Sequence, residues 1–188
     1  MPLPPRAAVC LHCVQAPPPF ERCFCAVDYG FPWDRLISRL KFGAQPELAR
    51  TLVDLLVAAP SLERPSAFVA LPLSDARLAE RGYDQAWELA RRLGHRLDRP
   101  AHARVLERQF DSLRQTRLSR RERLANLRGA FRVRPSCRAL VEGAHLALVD
   151  DVMTTGATAT EAAAALRAAG ARRVDLWVVA RTPAPPDD

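Results

Sequence analysis

The chain has 188 residues, 48% of them hydrophobic, and a formal charge of +7 at pH 7. A chain of that length buries a sizeable core without disulfides, and no stretch is long and apolar enough to span a bilayer. Of its 28 basic residues only Lys41 is a lysine. Such a surface suits nucleic acid or a phosphorylated small molecule, but arginine is spread along the chain with one local excess at 114–134, so charge alone does not choose between them.

Residues 1–21 hold six of the sixteen prolines and Cys10-x-x-Cys13, which reads as an irregular appendage. The start, MPLPPRAAVC, lacks the apolar core of a signal peptide. It predicts a cytoplasmic protein whose cysteines are reduced thiols or metal ligands. Cys10, Cys13, Cys23 and Cys25 offer four thiolates for a structural zinc, although the second pair is one residue too close for the usual knuckle. Alternatively, residues 22–29 form a first strand in which Cys23, Cys25 and Val27 share one face and the thiols act as small hydrophobes. Both readings stand at this level.

Two amphipathic helices follow at 34–42 and 47–58. In the second, Leu48, Leu52, Leu55 and Leu56 recur at helical spacing. Residues 67–73 form an apolar strand that ends around Pro72. Beyond Leu73 and Ser74, Arg77 and Arg81 lie at i and i+4 on one helical face, a pair able to hold diphosphate oxygens bidentately. A helix at 83–97 puts Ala86, Leu89, Ala90 and Leu93 on one side. A short strand is expected at 104–106, a polar aperiodic stretch at 108–118, and a short charged helix at 119–127 with Ser119 and Glu122 as a capping box. Cys137 is isolated and reads as structural.

The densest signal comes next. Leu146, Ala147, Leu148 and Val149 form a continuously apolar strand, as in a sheet buried on both faces. Asp150 and Asp151 follow at its carboxyl end, where open α/β sheets bind ligands. Thr154, Thr155 and Thr158 supply hydroxyls, and Gly156 lets the backbone approach an anion closely. From Ala157 the alanine-rich run to 169 favours a helix, which Gly170 stops. An isolated Asp-Asp or Thr-Thr-Gly would be an acidic turn before a threonine cap. The whole unit is a sugar-phosphate cradle, with carboxylates for ribose hydroxyls and a helix N-terminus for the phosphate. A last strand spans 174–180. Strands alternating with helices predict an α/β fold with a parallel sheet covered on both faces. The organisation read from the sequence is a Cys/Pro-rich segment at 1–30, a main domain at 31–182 and a disordered tail at 183–188.

VDDVMTTGAT resembles the diphosphoribosyl-binding motif of the type I phosphoribosyltransferases. Within that superfamily, FPWDRLISRLKF (31–42), ALPLSDARLAERGYDQA (70–86) and RQTRLSRRERLANLRGAF (114–131) resemble the pattern of the ComF family, also called competence protein F or GntX-like. The resemblance runs from about residue 10 to residue 181. It implies the type I phosphoribosyltransferase fold, a parallel-sheet core flanked by helices, with a small cysteine-containing hood. It implies phosphoribosyl pyrophosphate as donor and Mg²⁺ as cofactor. Asp150 and Asp151 become the catalytic acids on the ribose hydroxyls and the metal. Thr154, Thr155, Gly156, Ala157 and Thr158 would hold the 5′-phosphate, and Leu73, Ser74, Arg77 and Arg81 the pyrophosphate. Ser112 and Gln115 would lie in the flexible loop at 108–118 that closes over the donor, and Leu118, Arg123 and Asn126 match the family's spacing.

Gln85 is a weaker site candidate. The family usually has asparagine where this chain has Asp84, and a carboxylate there would repel a diphosphate, which leaves position 84 a helix cap. Longer relatives carry two Cys-x-x-Cys pairs, and on that alignment Cys10 and Cys13 are the second pair and the first is missing. The implied activity is transfer of ribose 5-phosphate to an acceptor, a nitrogenous base, met by a hood at 1–45. The family is also linked to DNA uptake and natural transformation beside a helicase-like partner. That implies an alternative, a non-catalytic adaptor that uses the fold to bind nucleotides or DNA.

Overall fold

The computed structural model describes residues 17–58, 64–109 and 129–182. Cys10, Cys13, Ser112, Gln115, the helix expected at 119–127 and the 183–188 tail lie outside the described residues. Five parallel strands form the main sheet, in the order β1 (Arg22–Asp28), β7 (Arg173–Arg181), β6 (His145–Met153), β2 (Ala67–Ala70) and β3 (Ala101–His102). The interior strands β7, β6 and β2 are apolar nearly throughout, because each is covered on both faces.

The helices are α1 (Trp33–Phe42), α2 (Leu48–Ala58), α3 (Asp75–Arg81), α4 (Gln85–Leu97), α5 (Arg138–Val141) and α6 (Ala157–Ala168). α4 buries Ala86, Leu89, Ala90 and Leu93, the face its periodicity predicts. On α2 the buried stripe is Ala49, Leu52, Val53 and Leu56, so Leu48 and Leu55 are half-buried at its margins. The crossovers from β1 to β2 and from β2 to β3 run one way across the sheet, and that from β6 to β7 runs the other. Right-handed crossovers then place α2 and α4 on one face and α6 on the opposite face. Against the sheet, Trp177 packs tilted on Phe24 at 5.0 Å and edge-on to Phe68 at 5.4 Å.

Three details differ from the sequence expectation. β6 does not stop at Val149 but continues to Met153, since β7 pairs with it as far as Met153↔Arg181. The helix expected from residue 83 starts at Gln85, where Asp84 caps it. The short strand expected at 104–106 falls at β4 (Leu106–Arg108), which pairs antiparallel with β5 (Phe131–Val133), a ribbon apart from the main sheet. Among the described residues no helix is long and apolar enough to cross a membrane.

Candidate functional site at the crevice between β2 and β6

β2 and β6 are neighbours, yet the chain leaving β2 and the chain leaving β6 go to opposite faces of the sheet. That divergence opens a crevice at the carboxyl end, the ligand position of open α/β sheets. The Leu71 amide donates to Val149 O at 2.9 Å, which ties the turn after β2 to the start of the acidic pair. Leu73 and Ser74 lie in that turn. Ser74 Oγ accepts from the Arg77 amide at 3.5 Å and so starts α3, which carries Arg77 and Arg81.

Asp150 and Asp151 lie inside β6, not in the loop after it, with Asp150 opposite Val178 and Val152 opposite Ala180 on β7. Their carboxyl groups lie close enough to act on each other through a side-chain hydrogen bond and through charge. Asp151 is 2% exposed, whereas Asp150 is half-buried. Asp150 Oδ1 accepts from the Asp151 amide and Asp151 Oδ1 from the Val152 amide, both at 2.8 Å. Burial, and then the charge of Asp151, push the Asp150 carboxyl well above the ordinary carboxylate value of 3.8.

Thr154 and Thr155 are exposed in the following bend, and Thr155 Oγ1 accepts from the Ala157 amide at 3.4 Å. Gly156 has φ +76°, a left-handed conformation that frees the backbone to turn into α6. The N-cap Gly156 has no side chain to cap this twelve-residue helix, and the positive end of its dipole faces the carboxyl side of the sheet. The five residues expected at a 5′-phosphate, 154–158, are therefore contiguous around one helix start beside the acidic pair.

The last turn of α1, within the segment 31–42 that carries part of the family resemblance, closes the site. Three successive residues each touch a different part. Leu40 O accepts from the Tyr83 hydroxyl. Lys41 Nζ stands 3.1 Å from Asp151 Oδ2. The Phe42 ring lies 4.9 Å beneath the Arg81 guanidinium while remaining 69% exposed. What the resemblance did not assign was a role for Lys41, whose one distinguishing mark was compositional: a single lysine against 27 arginines, counted as 28 basic residues less Lys41.

Around this crevice several buried polar atoms lack hydrogen-bond partners: Arg81 Nε and Nη1, Gln85 Oε1 and Asp151 Oδ2. Such atoms are costly unless something completes them. Gln85, the weaker candidate, is thus part of the group. Asp84 accepts from the Ala86 and Trp87 amides at 2.8 and 3.1 Å, a full N-cap. Its carboxyl is raised, by burial first and with Asp151 among the lesser causes, so the two acids sense each other. The buried oxygen of Asp151 beside a second carboxylate is the hard-oxygen donor set that Mg²⁺ prefers, with most of its remaining shell left to water and substrate. These residues fit that ion.

A cavity of about 730 Å³ borders the same turn. Its walls include Leu73, Ser74, Tyr83, Trp87, Arg104 and Arg108, but neither Asp150 nor Asp151. Leu106, Glu107 and Arg108 of β4 form part of its wall, and β4 pairs antiparallel with β5. Of the thiol candidates, Cys23 and Cys25 lie in β1, and Cys25 Sγ donates to Val27 O at 3.0 Å. Among the described residues no three His, Cys, Asp or Glu side chains gather as a metal cluster.

No protein-family model matches the chain. It is 35% identical over 180 residues to the DNA utilization protein YhgH of Salmonella typhimurium, which covers 92% of this chain and 78% of that protein. The same shares are covered in DNA utilization protein YhgH of Escherichia coli K12, at 35% identity, and in competence protein F of Haemophilus influenzae, at 34% identity over 179 residues. Among solved structures, a glutamine phosphoribosylpyrophosphate amidotransferase from B. subtilis, complexed with ADP and GMP, aligns with a TM-score of 0.46 at 20% identity. That alignment covers 72% of this chain and about a quarter, 26%, of the other. At a third of residues identical over nine-tenths of its length, the chain belongs to the ComF family of competence protein F and DNA utilization protein YhgH.

Proposed function

We propose that the crevice between β2 and β6 binds phosphoribosyl pyrophosphate with Mg²⁺ and transfers ribose 5-phosphate to a nitrogenous base. The observation that carries this reading is the placement of Asp150 and Asp151 in β6, directly ahead of a helix start whose N-cap is Gly156, at the point where the sheet's connections diverge. The backbone amides and hydroxyls of 154–158 hold the 5′-phosphate at the start of α6. Asp150 and Asp151 accept from the ribose 2′- and 3′-hydroxyls. As the C1–O bond to the diphosphate breaks, positive charge grows on the ribose ring, and the fixed carboxylates stabilise it without reorganising. Arg77 and Arg81, on α3, hold the departing diphosphate. Asp150 and Asp151 would hold Mg²⁺ together with the donor, and the ion would supply further charge neutralisation for the leaving group.

A second reading rests on the relatives' names, which speak of DNA utilization and competence and not of transfer. In it the chain serves the handling of incoming DNA, beside a helicase-like partner, and uses the donor site without turnover. Both readings place the protein in competence. A thermal-shift titration separates donor binding from its absence. Phosphoribosyl pyrophosphate with Mg²⁺ raises the melting temperature of the unmodified protein, and Asp150→Asn/Asp151→Asn abolishes the rise. No shift in the unmodified protein sinks the donor site. Diphosphate release with a panel of bases then marks the enzyme, and silence across the panel marks the adaptor.

A further inference from the structure

Lys41 occupies a built position. Leu40 beside it is fully buried and its carbonyl is held by Tyr83, while Phe42 is held under Arg81. Between these two contacts the lysine ammonium lies 3.1 Å from Asp151 Oδ2, on a carboxylate that is almost wholly enclosed. Asp151 Oδ1 is already used by the Val152 amide, and Oδ2 has no hydrogen-bond partner of its own. The ammonium therefore stands at the oxygen that a divalent ion would use. Residue type sharpens the point. A chain with 27 arginines among its 28 basic residues places its one lysine here. Arginine would lock onto a carboxylate through a rigid two-pronged fork, whereas lysine is a compact point charge on a flexible stem. A cation that must hold a carboxylate and later release it has to be the second kind.

We propose that Lys41 is the resident counter-cation of the acidic pair: it holds the cation position at Asp151 in the donor-free protein, excludes free divalent metal, and withdraws when Mg²⁺ arrives with the donor. The identity of the arriving ion rests on the donor reading above; the exclusion does not. Metal and donor then enter together, because neither the empty site nor the metal alone removes the ammonium.

The test uses Mn²⁺ alone, with no donor present, followed by the electron-paramagnetic-resonance signal of the free ion. Lys41→Met binds Mn²⁺ at least about tenfold more tightly than the unmodified protein, since removing one charge at contact distance is worth that much even at a high effective dielectric. Lys41→Arg keeps the charge and remains as weak as the unmodified protein. Asp151→Asn on the Lys41→Met background removes the gain. Mn²⁺ also raises the melting temperature of Lys41→Met by several degrees and barely moves that of the parent, because only the variant has a vacant cation position. Equal Mn²⁺ affinity in Lys41→Met and parent overturns the proposal, as does tight binding by Lys41→Arg. Should Lys41→Met fail to fold, Lys41→Gln, whose amide still donates to Asp151, carries the same comparison. A missing donor shift with intact Mn²⁺ exclusion would refute the donor reading and leave this one standing.

Discussion

Asp150 is held where its charge is unwelcome. Burial raises its pKa and the adjacent Asp151 raises it further, so the folded protein keeps a proton that the unfolded chain gives up. The sign follows from linkage: this group's contribution to stability is fully present below the ordinary value of 3.8 and is lost as pH rises through the higher folded value. At neutral pH the carboxylate is thus a stability cost. Asp150→Asn keeps an oxygen to accept from the Asp151 amide, the bond now 2.8 Å long, and cannot ionise. The variant melts a few degrees higher than the parent at neutral pH, and the difference shrinks toward acid. Differential scanning calorimetry across a pH series checks both halves; a variant that melts lower at neutral pH contradicts the cost. On the proposed donor reading, such a cost would be the usual stability–activity trade-off.

Local sequence specified elements whose signals are local. The α4 stripe of Ala86, Leu89, Ala90 and Leu93 is buried as its spacing demands, and the strand–acid–glycine–helix unit of 146–169 forms as a unit. What escaped was set by distant partners. β6 runs on to Met153 because β7 offers it a ladder, and β4 meets β5 across the intervening 109–130, with no periodicity in either to announce it. Lys41 reaches Asp151 across 110 residues of chain, and only the folded sheet joins them. α4 shows a similar override of propensity at its end. Gly94 is mid-helix, where alanine is better by about 1 kcal/mol. Yet a Cβ there would sit 2.6 Å from Arg99 O and 3.0 Å from Ala101 Cβ, where the chain doubles back into β3. The first of these is backbone and cannot rotate away. Overpacking of this kind costs about 1–3 kcal/mol, enough to reverse the propensity gain. Gly94→Ala therefore lowers the denaturation midpoint, and a higher midpoint would show that the α4–β3 turn can shift at little cost.

Across the whole molecule, the two ends of the sheet treat buried charge in opposite ways. At the amino end of β6 and β7, His145 Nε2 lies 2.8 Å from Asp175 Oδ2, and Arg173 reaches both Asp175 oxygens at 3.0 Å. Glu21, just ahead of β1, stands 3.7 Å from the same arginine and accepts from the Val174 amide at 3.1 Å. The cluster thus pins β1, β7 and β6 together, and the carboxylates and the bases meet. At the carboxyl end, Asp151, Arg81 and Gln85 keep atoms without hydrogen-bond partners, and Asp150 and Asp84 are pushed up by burial. One end completes its own polar groups; at the other, Asp151 Oδ2 faces the Lys41 ammonium, and Arg81 and Gln85 keep atoms without hydrogen-bond partners. The two ends should then respond oppositely to mutation. Asp175→Ala leaves the buried His145 without its carboxylate and takes one carboxylate from the half-buried Arg173. Breaking a buried pair by removing one partner costs about 3–5 kcal/mol, and the lower figure applies because Glu21 remains beside Arg173. For a domain of this size that is on the order of 10 °C in melting temperature. The increment produced by phosphoribosyl pyrophosphate and Mg²⁺ stays the same in that variant, since the crevice lies at the other end of the strands. Asp151→Asn does the reverse, with a small change in the unliganded melting point and no increment. Parallel thermal melts of the two variants, with and without ligand, measure this separation, and a lost increment in Asp175→Ala would mean that the two ends of β6 are coupled.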